Sequence, residues 1–197
     1  MTNIWNERYS SEEYIYGTEP NNFFSEKLIQ LKPGKILLPA EGEGRNAVFA
    51  AKKGWQVTAF DNSIEGQKKA FQLAEKEDVS ITYLIDSYDS ANLPFEYFDC
   101  IALIYTHMPP EKRTVYHQKL ASFLKPGGFL ILEGFSKNQL QYNSGGPKDY
   151  GMLFSVEELK SDFSDFNIIQ AEETEIELKE GTFHDGKSSV IRLFATC

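Results

Sequence analysis

The chain has 197 residues, a formal net charge of −9 and 41% hydrophobic residues. That length suits one domain able to bury a sizeable core, and the composition is ordinary for a globular protein. The negative balance argues against a nucleic-acid surface, which needs clustered Lys and Arg, and no run approaches the roughly 18 apolar residues of a membrane span.

No secretory signal precedes Trp5, so the expected compartment is the cytoplasm. The two cysteines, Cys100 and Cys197, offer neither a disulfide framework nor a metal-binding spacing, and no metal is expected. Lys52-Lys53 and Lys68-Lys69 read as solvated helix faces.

Residues 1–24 are polar and aromatic without clean strand alternation, and read as a lid of short helices over a core spanning 25–197. Phe23–Leu31 has a helical stripe at Phe24, Leu28 and Leu31, ended by Pro33-Gly34. Ile36–Leu38 is a first strand, Arg45–Lys53 a helix stopped by Gly54, and Gln56–Phe60 a second strand. Ser63 is the expected N-cap of a helix over 64–77 with Ile64, Phe71 and Ala74 inward. Val79–Ile85 and the apolar run Asp99–Tyr105 are strands three and four, the latter of the continuous kind buried on both faces. A helix over Glu111–Leu124 carries Val115, Leu120, Phe123 and Leu124. It is followed by a turn at Lys125–Gly128 and a fifth strand at Phe129–Glu133. Residues 136–152 form a long loop, 155–163 a helix, and 168–178 and 189–195 two closing strands. Their link, Lys179–Lys187, suits a hairpin and is too short for a helical crossover, so the last strand is antiparallel to its neighbour.

The first βαβ unit holds the main functional signal. Gly42 and Gly44 follow a buried strand and allow a sharp turn and close approach of a ligand. The N–H groups opening the next helix are expected to be free donors. Asp61 falls 17 positions after Gly44, close to the spacing of roughly twenty at which an acid reaches ribose hydroxyls. Gly42-x-Gly44-x-x-Ala47 also fits the dinucleotide pattern. Glu41 and Glu43 weigh against it, because a pyrophosphate would meet two like charges, whereas S-adenosylmethionine carries a cationic sulfonium and no phosphate.

Five parallel strands plus a terminal hairpin predict an α/β, Rossmann-like, seven-stranded, mostly parallel sheet with helices on both faces and an antiparallel C-terminal strand. Together with Leu93-Pro-Phe95, Phe98-Asp99 and Leu124-Lys-Pro-Gly-Gly128, the chain resembles the class I S-adenosylmethionine-dependent methyltransferases over nearly its whole length. Trp5-x-x-Arg8-Tyr9 and Tyr16-Gly17-x-x-Pro20-Asn21 resemble the small bacterial group related to tellurite-resistance and thiopurine methyltransferases.

The resemblance implies that Ala40, Glu41, Gly42 and Gly44 lie under the methionine and ribose portions of the cofactor. It implies that Asp61 binds the ribose, that Asn62 touches the adenine edge, and that Asp89 and Ser90 meet the adenine amino group, with Asp86 as the competitor for that role. Tyr105, Thr106 and His107 would lie near the methionine head and the methyl group, and Trp5, Tyr9 and Tyr16 would close over the cofactor. Leu38 stands where the family usually carries an acid, leaving Glu41 to take the methionine ammonium or that contact to be lost.

Methyl transfer from a sulfonium needs chiefly positioning and water exclusion. His107, at the active edge of the sheet, is the expected general base for a hydroxyl or amine acceptor. His117 is read as structural, His184 lies in the final hairpin, and Glu133 and the Ser144–Pro147 loop with Lys148 are expected near the acceptor. The expected partner is a small-molecule acceptor, with the chain a monomer or homodimer. Two alternatives are a non-catalytic module binding adenosylmethionine or its product, and an NAD-linked oxidoreductase.

Overall fold

In the computed structural model, which describes residues 4–197, seven strands form one sheet in the order β3-β2-β1-β4-β5-β7-β6. The strands are β1 (Lys35–Pro39), β2 (Gln56–Asp61), β3 (Thr82–Ile85), β4 (Phe98–Ile104), β5 (Leu124–Phe135), β6 (Asn167–Lys179) and β7 (Asp185–Thr196). The helices are α1 (Ile4–Tyr9), α2 (Asn22–Leu28), α3 (Arg45–Lys52), α4 (Ile64–Lys76), α5 (Pro110–Ala121) and α6 (Val156–Asp162). β7 runs antiparallel to both neighbours, and the pairs among β1 to β5 are parallel, as the short final connection predicts.

Alternation along the strands divides the core. Ile36, Leu38, Val57, Ala59, Cys100 and Ala102 face α2, α3 and α4, with Phe24, Leu28, Ala47 and Ala70 packed against them. Leu37, Phe60, Ile101 and Leu103 face α5 and α6, meeting Tyr116, Leu120 and Leu159. Helices therefore cover both faces, which is why β1 and β4 read as unbroken apolar runs.

Several local expectations are corrected. On α4 the buried face is Gly66, Lys69, Ala70, Leu73 and Ala74, while Ile64 and Phe71 are exposed. Val115 of α5 is also exposed. The predicted turn at Lys125–Gly128 lies within β5, whose pairing with β4 slips between Phe98 and Cys100. The predicted loop over 136–152 holds two 3-10 turns, Lys137–Gln141 and Tyr150–Met152. Ser63 does cap α4, accepting from Gly66 N, and Ser155 begins α6 with a reciprocal capping box to Glu158.

Candidate active site

β1 and β4 are sheet neighbours, although the chain runs outward through β2 and β3 before returning to β4. That reversal opens a crevice at the carboxyl ends of the strands. A cleft of about 710 Å³ lies there. Its floor includes Ala40 and Glu41 after β1, Asp61 and Asn62 at the end of β2, and Tyr105, Thr106 and His107 after β4. Trp5 to Gly17, residues 143–149 and the β6–β7 loop wall it over.

The turn after β1 is built for Asp61. Gly42 N donates to Asp61 Oδ2 at 3.1 Å and Ser63 N donates to Oδ1 at 2.9 Å. Burial raises the Asp61 carboxyl, and these backbone donors oppose the rise. An ionised carboxylate has more lone pairs than the backbone donors of Gly42, Asn62 and Ser63 use, so Asp61 can still accept from a diol.

The glycines make the sharp turn expected of them, but the close approaches they allow are to other parts of the chain. Gly42 and Gly44 adopt φ of 63° and 88°, conformations that favour glycine. A Cβ on Gly42 would sit 2.6 Å from the Tyr9 hydroxyl, and one on Gly44 would sit 2.5 Å from Ala70 Cβ. The close approaches are thus to the N-terminal segment and to α4. Neither glycine faces the open cleft.

Of the helix donors expected to be free, the N–H groups of Asn46 and Ala47 are engaged by Glu41. Ala47 N donates to Glu41 Oε1 at 2.7 Å, so Glu41 fills the start of α3. Burial raises its carboxyl to about 7, with the Ala47 N–H opposing. Glu43 also borders the cleft, but its charge is met inside the fold. It is ion-paired to buried Lys69 at 2.7 Å and accepts from Ile15 N at 2.8 Å. Lys69 is therefore not part of a solvated face.

Asp89 and Ser90 do not reach the cleft. Exposed Asp89 pairs with Lys112 of α5 at 3.3 Å, and Ser90 bonds to Ser87 and Asp86. Lys119 donates to the carbonyls of Tyr88 and Asp89, each at 2.8 Å, and draws this turn toward α5. Tyr88 is the residue of this turn that lines the cleft, with its ring against Phe60 and Tyr116. Its neighbouring acids carried a stronger sequence signal than its own aromatic ring.

The N-terminal segment closes over the opposite side. Trp5 and Tyr9 stack at 5.6 Å, Asn6 accepts from Ser63 Oγ at 2.7 Å, and Arg8 donates to the Tyr16 hydroxyl at 2.9 Å. Trp5, Tyr9 and Tyr16 all line the cleft. Residues 1–3 of the predicted lid lie outside the described residues.

His107 lines the cleft but has no lone pair to offer. Phe135 N donates to its Nε2 at 3.0 Å, which fixes Nε2 as the acceptor, and Nδ1 then donates to the Met152 carbonyl at 2.8 Å. Burial lowers it to about 4. It stacks on Phe154 at 4.6 Å and clamps β5 to the Met152 turn. The expectation of a general base here is corrected: both nitrogens are spent on the backbone.

Three groups that sequence reasoning did not rank highly meet here. His184 in the β6–β7 loop lines the cleft, with its ring 4.5 Å from those of Tyr16 and Tyr105. Its partner Glu180 is ion-paired to Arg45 of α3 at 2.8 Å. Glu133 ends up behind the cleft, bound by Arg192 Nε at 2.6 Å, Asn21 Nδ2 at 2.6 Å and the Tyr105 hydroxyl at 3.1 Å. Tyr105 itself has φ 54°, rare for an aromatic residue and a mark of a constrained site.

Residues 36–128 match the family described as "Methyltransferase domain". Two curated relatives from Haemophilus influenzae strains, each described as "Probable S-adenosyl-L-methionine-dependent methyltransferase TehB", are 23% identical over 150 residues. That alignment covers 75% of this chain and 51% of theirs, so the chain spans about half the length of the curated relatives it matches. The "Crystal Structure of TehB from Haemophilus influenzae" superposes with a TM-score of 0.74 at 18% identity, covering 98% of this chain and 65% of that one. A structure described as "Conversion of a Disulfide Bond into a Thioacetal Group during Echinomycin Biosynthesis" gives 0.76 at 16% identity, covering 98% and 90%. At such identities these structures speak for the fold.

Proposed function

We propose, from the premise that this chain carries a Rossmann-like methyltransferase domain related to S-adenosylmethionine-dependent enzymes, that it moves a methyl group from S-adenosylmethionine to a small-molecule acceptor. The observation that carries the reading is Asp61. It ends β2, is aimed by Gly42 N and Ser63 N, and stands in the cleft at the strand-order reversal.

The residues fit the cofactor. Asp61 would accept the ribose hydroxyls, with Asn62 and Tyr88 beside the base and Ala40 and Glu41 under the methionine arm. Bound there, the cofactor supplies a methyl group on a sulfonium, already activated for in-line displacement. The chain's own work is to hold the two reactants in line and keep water out. Trp5, Tyr9 and Tyr16 supply the apolar cover, and their ring faces attract a cation. A cleft of about 710 Å³, closed over by two loops and the N-terminal segment, supports an acceptor of small-molecule size.

Buried Leu38, in the place of the usual acid, favours a second reading, in which the domain binds adenosylmethionine without turnover. Titration calorimetry with S-adenosylhomocysteine and NAD tests the first reading. S-adenosylhomocysteine is expected to bind and NAD not to. Tighter binding of NAD would sink it. Binding of adenosylmethionine without methylation of any acceptor would favour the second.

A further inference from the structure

The loop 180–184 joins β6 to β7 and lies against the N-terminal segment, with Thr182 N donating to the Ile15 carbonyl at 3.0 Å. At its end His184 is buried among Tyr16, Tyr105 and Phe135, whose ring centroids lie 4.5, 4.5 and 5.2 Å away. His184 Nδ1 faces Glu180 Oε2 at 3.2 Å. An ionised carboxylate only accepts, so Nδ1 carries the hydrogen and the lone pair sits on Nε2.

That nitrogen is bonded to none of the described residues, and its ring lines the cleft. The contrast with the other histidines is informative. His107 spends both nitrogens on backbone groups, and His117 Nε2 is sealed inside the fold. Glu180 is itself fixed, receiving Arg45 Nη2 at 2.8 Å and Asn21 Nδ2 at 3.3 Å. A carboxylate holds Nδ1 of an imidazole that lines the cleft, and the far nitrogen is left without a partner among the described residues, an arrangement suited to proton removal.

We propose that His184 is the general base for a protic methyl acceptor, a hydroxyl, thiol or amine, and that Glu180 is its positioning residue. The inference rests on the methyl-transfer reading. In the step, a lone pair on the acceptor heteroatom forms the new bond to the methyl carbon. The carbon–sulfur bond breaks with its pair going to sulfur, leaving neutral S-adenosylhomocysteine. The proton on the acceptor heteroatom passes to His184 Nε2, and the resulting imidazolium releases it to solvent. Aprotic acceptors, such as thioethers and pyridine nitrogens, need no such group.

The charges around His184 favour a base that is free at neutral pH. Glu180 faces it from its own loop, Arg45 from α3, Arg8 and the Tyr16 hydroxyl from the N-terminal segment, and Tyr105 and His107 from the end of β4. Asp185 follows it in the chain. Burial lowers the imidazole, the Glu180 bond and charge oppose, and Arg45 and Arg8 lower it further.

The test uses labelled adenosylmethionine with benzenethiol, 2-mercaptoethanol, phenol and aniline as protic probes, and dimethyl sulfide and pyridine as aprotic ones. S-adenosylhomocysteine affinity is measured alongside by calorimetry. Wild type is expected to methylate members of the protic set. His184→Gln should lose about 100-fold in kcat/KM on them, with S-adenosylhomocysteine affinity within about threefold of wild type. Glu180→Gln should lose activity and shift the acid limb of the pH–rate profile, and Glu180→Asp should restore part of it. Transfer confined to the aprotic probes overturns the proposal, as does no protic transfer by a protein that binds S-adenosylhomocysteine. So does a His184→Gln variant as active as wild type. If wild type binds neither adenosylmethionine nor S-adenosylhomocysteine, the methyl-transfer reading falls first and this proposal with it.

Discussion

Glu43 and Lys69 meet as an ion pair at 2.7 Å with side chains 3% and 9% exposed, and the same carboxylate receives the backbone N–H of Ile15. A charge pair this dry is weak evidence for net stability, but removing one partner leaves the other buried and uncompensated. Lys69→Met should therefore cost about 3 kcal/mol in urea denaturation. It should also speed amide exchange at Ile15 and Tyr16, because the tether of the N-terminal segment is lost. Adding Glu43→Gln should recover most of the stability. Unchanged exchange at Ile15 in the single variant would show that the pair does not hold the segment down.

Asp61 holds the glycine turn and, on the proposed reading, the ribose. Charge-assisted bonds to two hydroxyls are worth roughly 1.5–3 kcal/mol each in a partly buried site. Asp61→Ala is expected to weaken S-adenosylhomocysteine binding by at least about tenfold. Asp61→Asn, which keeps an acceptor but loses the charge, should fall between. An unchanged dissociation constant in a folded Asp61→Ala protein would remove Asp61 from the ribose site.

His107 makes a prediction about pH as well as stability. Its folded value is about 4, against an ordinary 6.5, because burial disfavours the imidazolium. Between those values the unfolded chain binds the proton and the folded protein does not. Stability should thus fall as pH drops from about 6.5 toward 4, and His107 should contribute no slope above that window. NMR titration should find its ring neutral at pH 6. His107→Ala should cost about 2–4 kcal/mol, since Phe135 N and the Met152 carbonyl both lose a buried partner. A variant as stable as wild type would contradict the clamp.

Gly44 combines φ of 88° with a Cβ position 2.5 Å from Ala70 Cβ. Gly44→Ala should destabilise by about 2–4 kcal/mol, from a strained backbone and an overpacked α3–α4 contact. Pairing it with Ala70→Gly relieves the clash but not the strain, so the double variant should regain only part of the loss. Full recovery of the thermal midpoint would show that the backbone conformation carries no cost.

Much of this protein is written locally. Unbroken apolar runs at Ile36–Leu38 and Cys100–Leu103 mark strands covered on both faces, and the short link before β7 requires an antiparallel return. The glycine turn and the register of Asp61 belong to one βαβ unit, so spacing alone brings Asp61 to the cleft. What spacing cannot carry is which distant side chains meet. Arg45 and Glu180 are 135 residues apart, and Asp89 is drawn to Lys112 on a helix 23 residues on. Glu43 looked like a charge facing a ligand until α4 brought Lys69 against it. From the sequence, His107 at the end of strand four is the expected base, and His184 is only a histidine in the closing hairpin. Packing spends both nitrogens of His107 on backbone groups and only Nδ1 of His184, whose ring lines the cleft, because hydrogen-bond supply is decided by the neighbours the fold assembles.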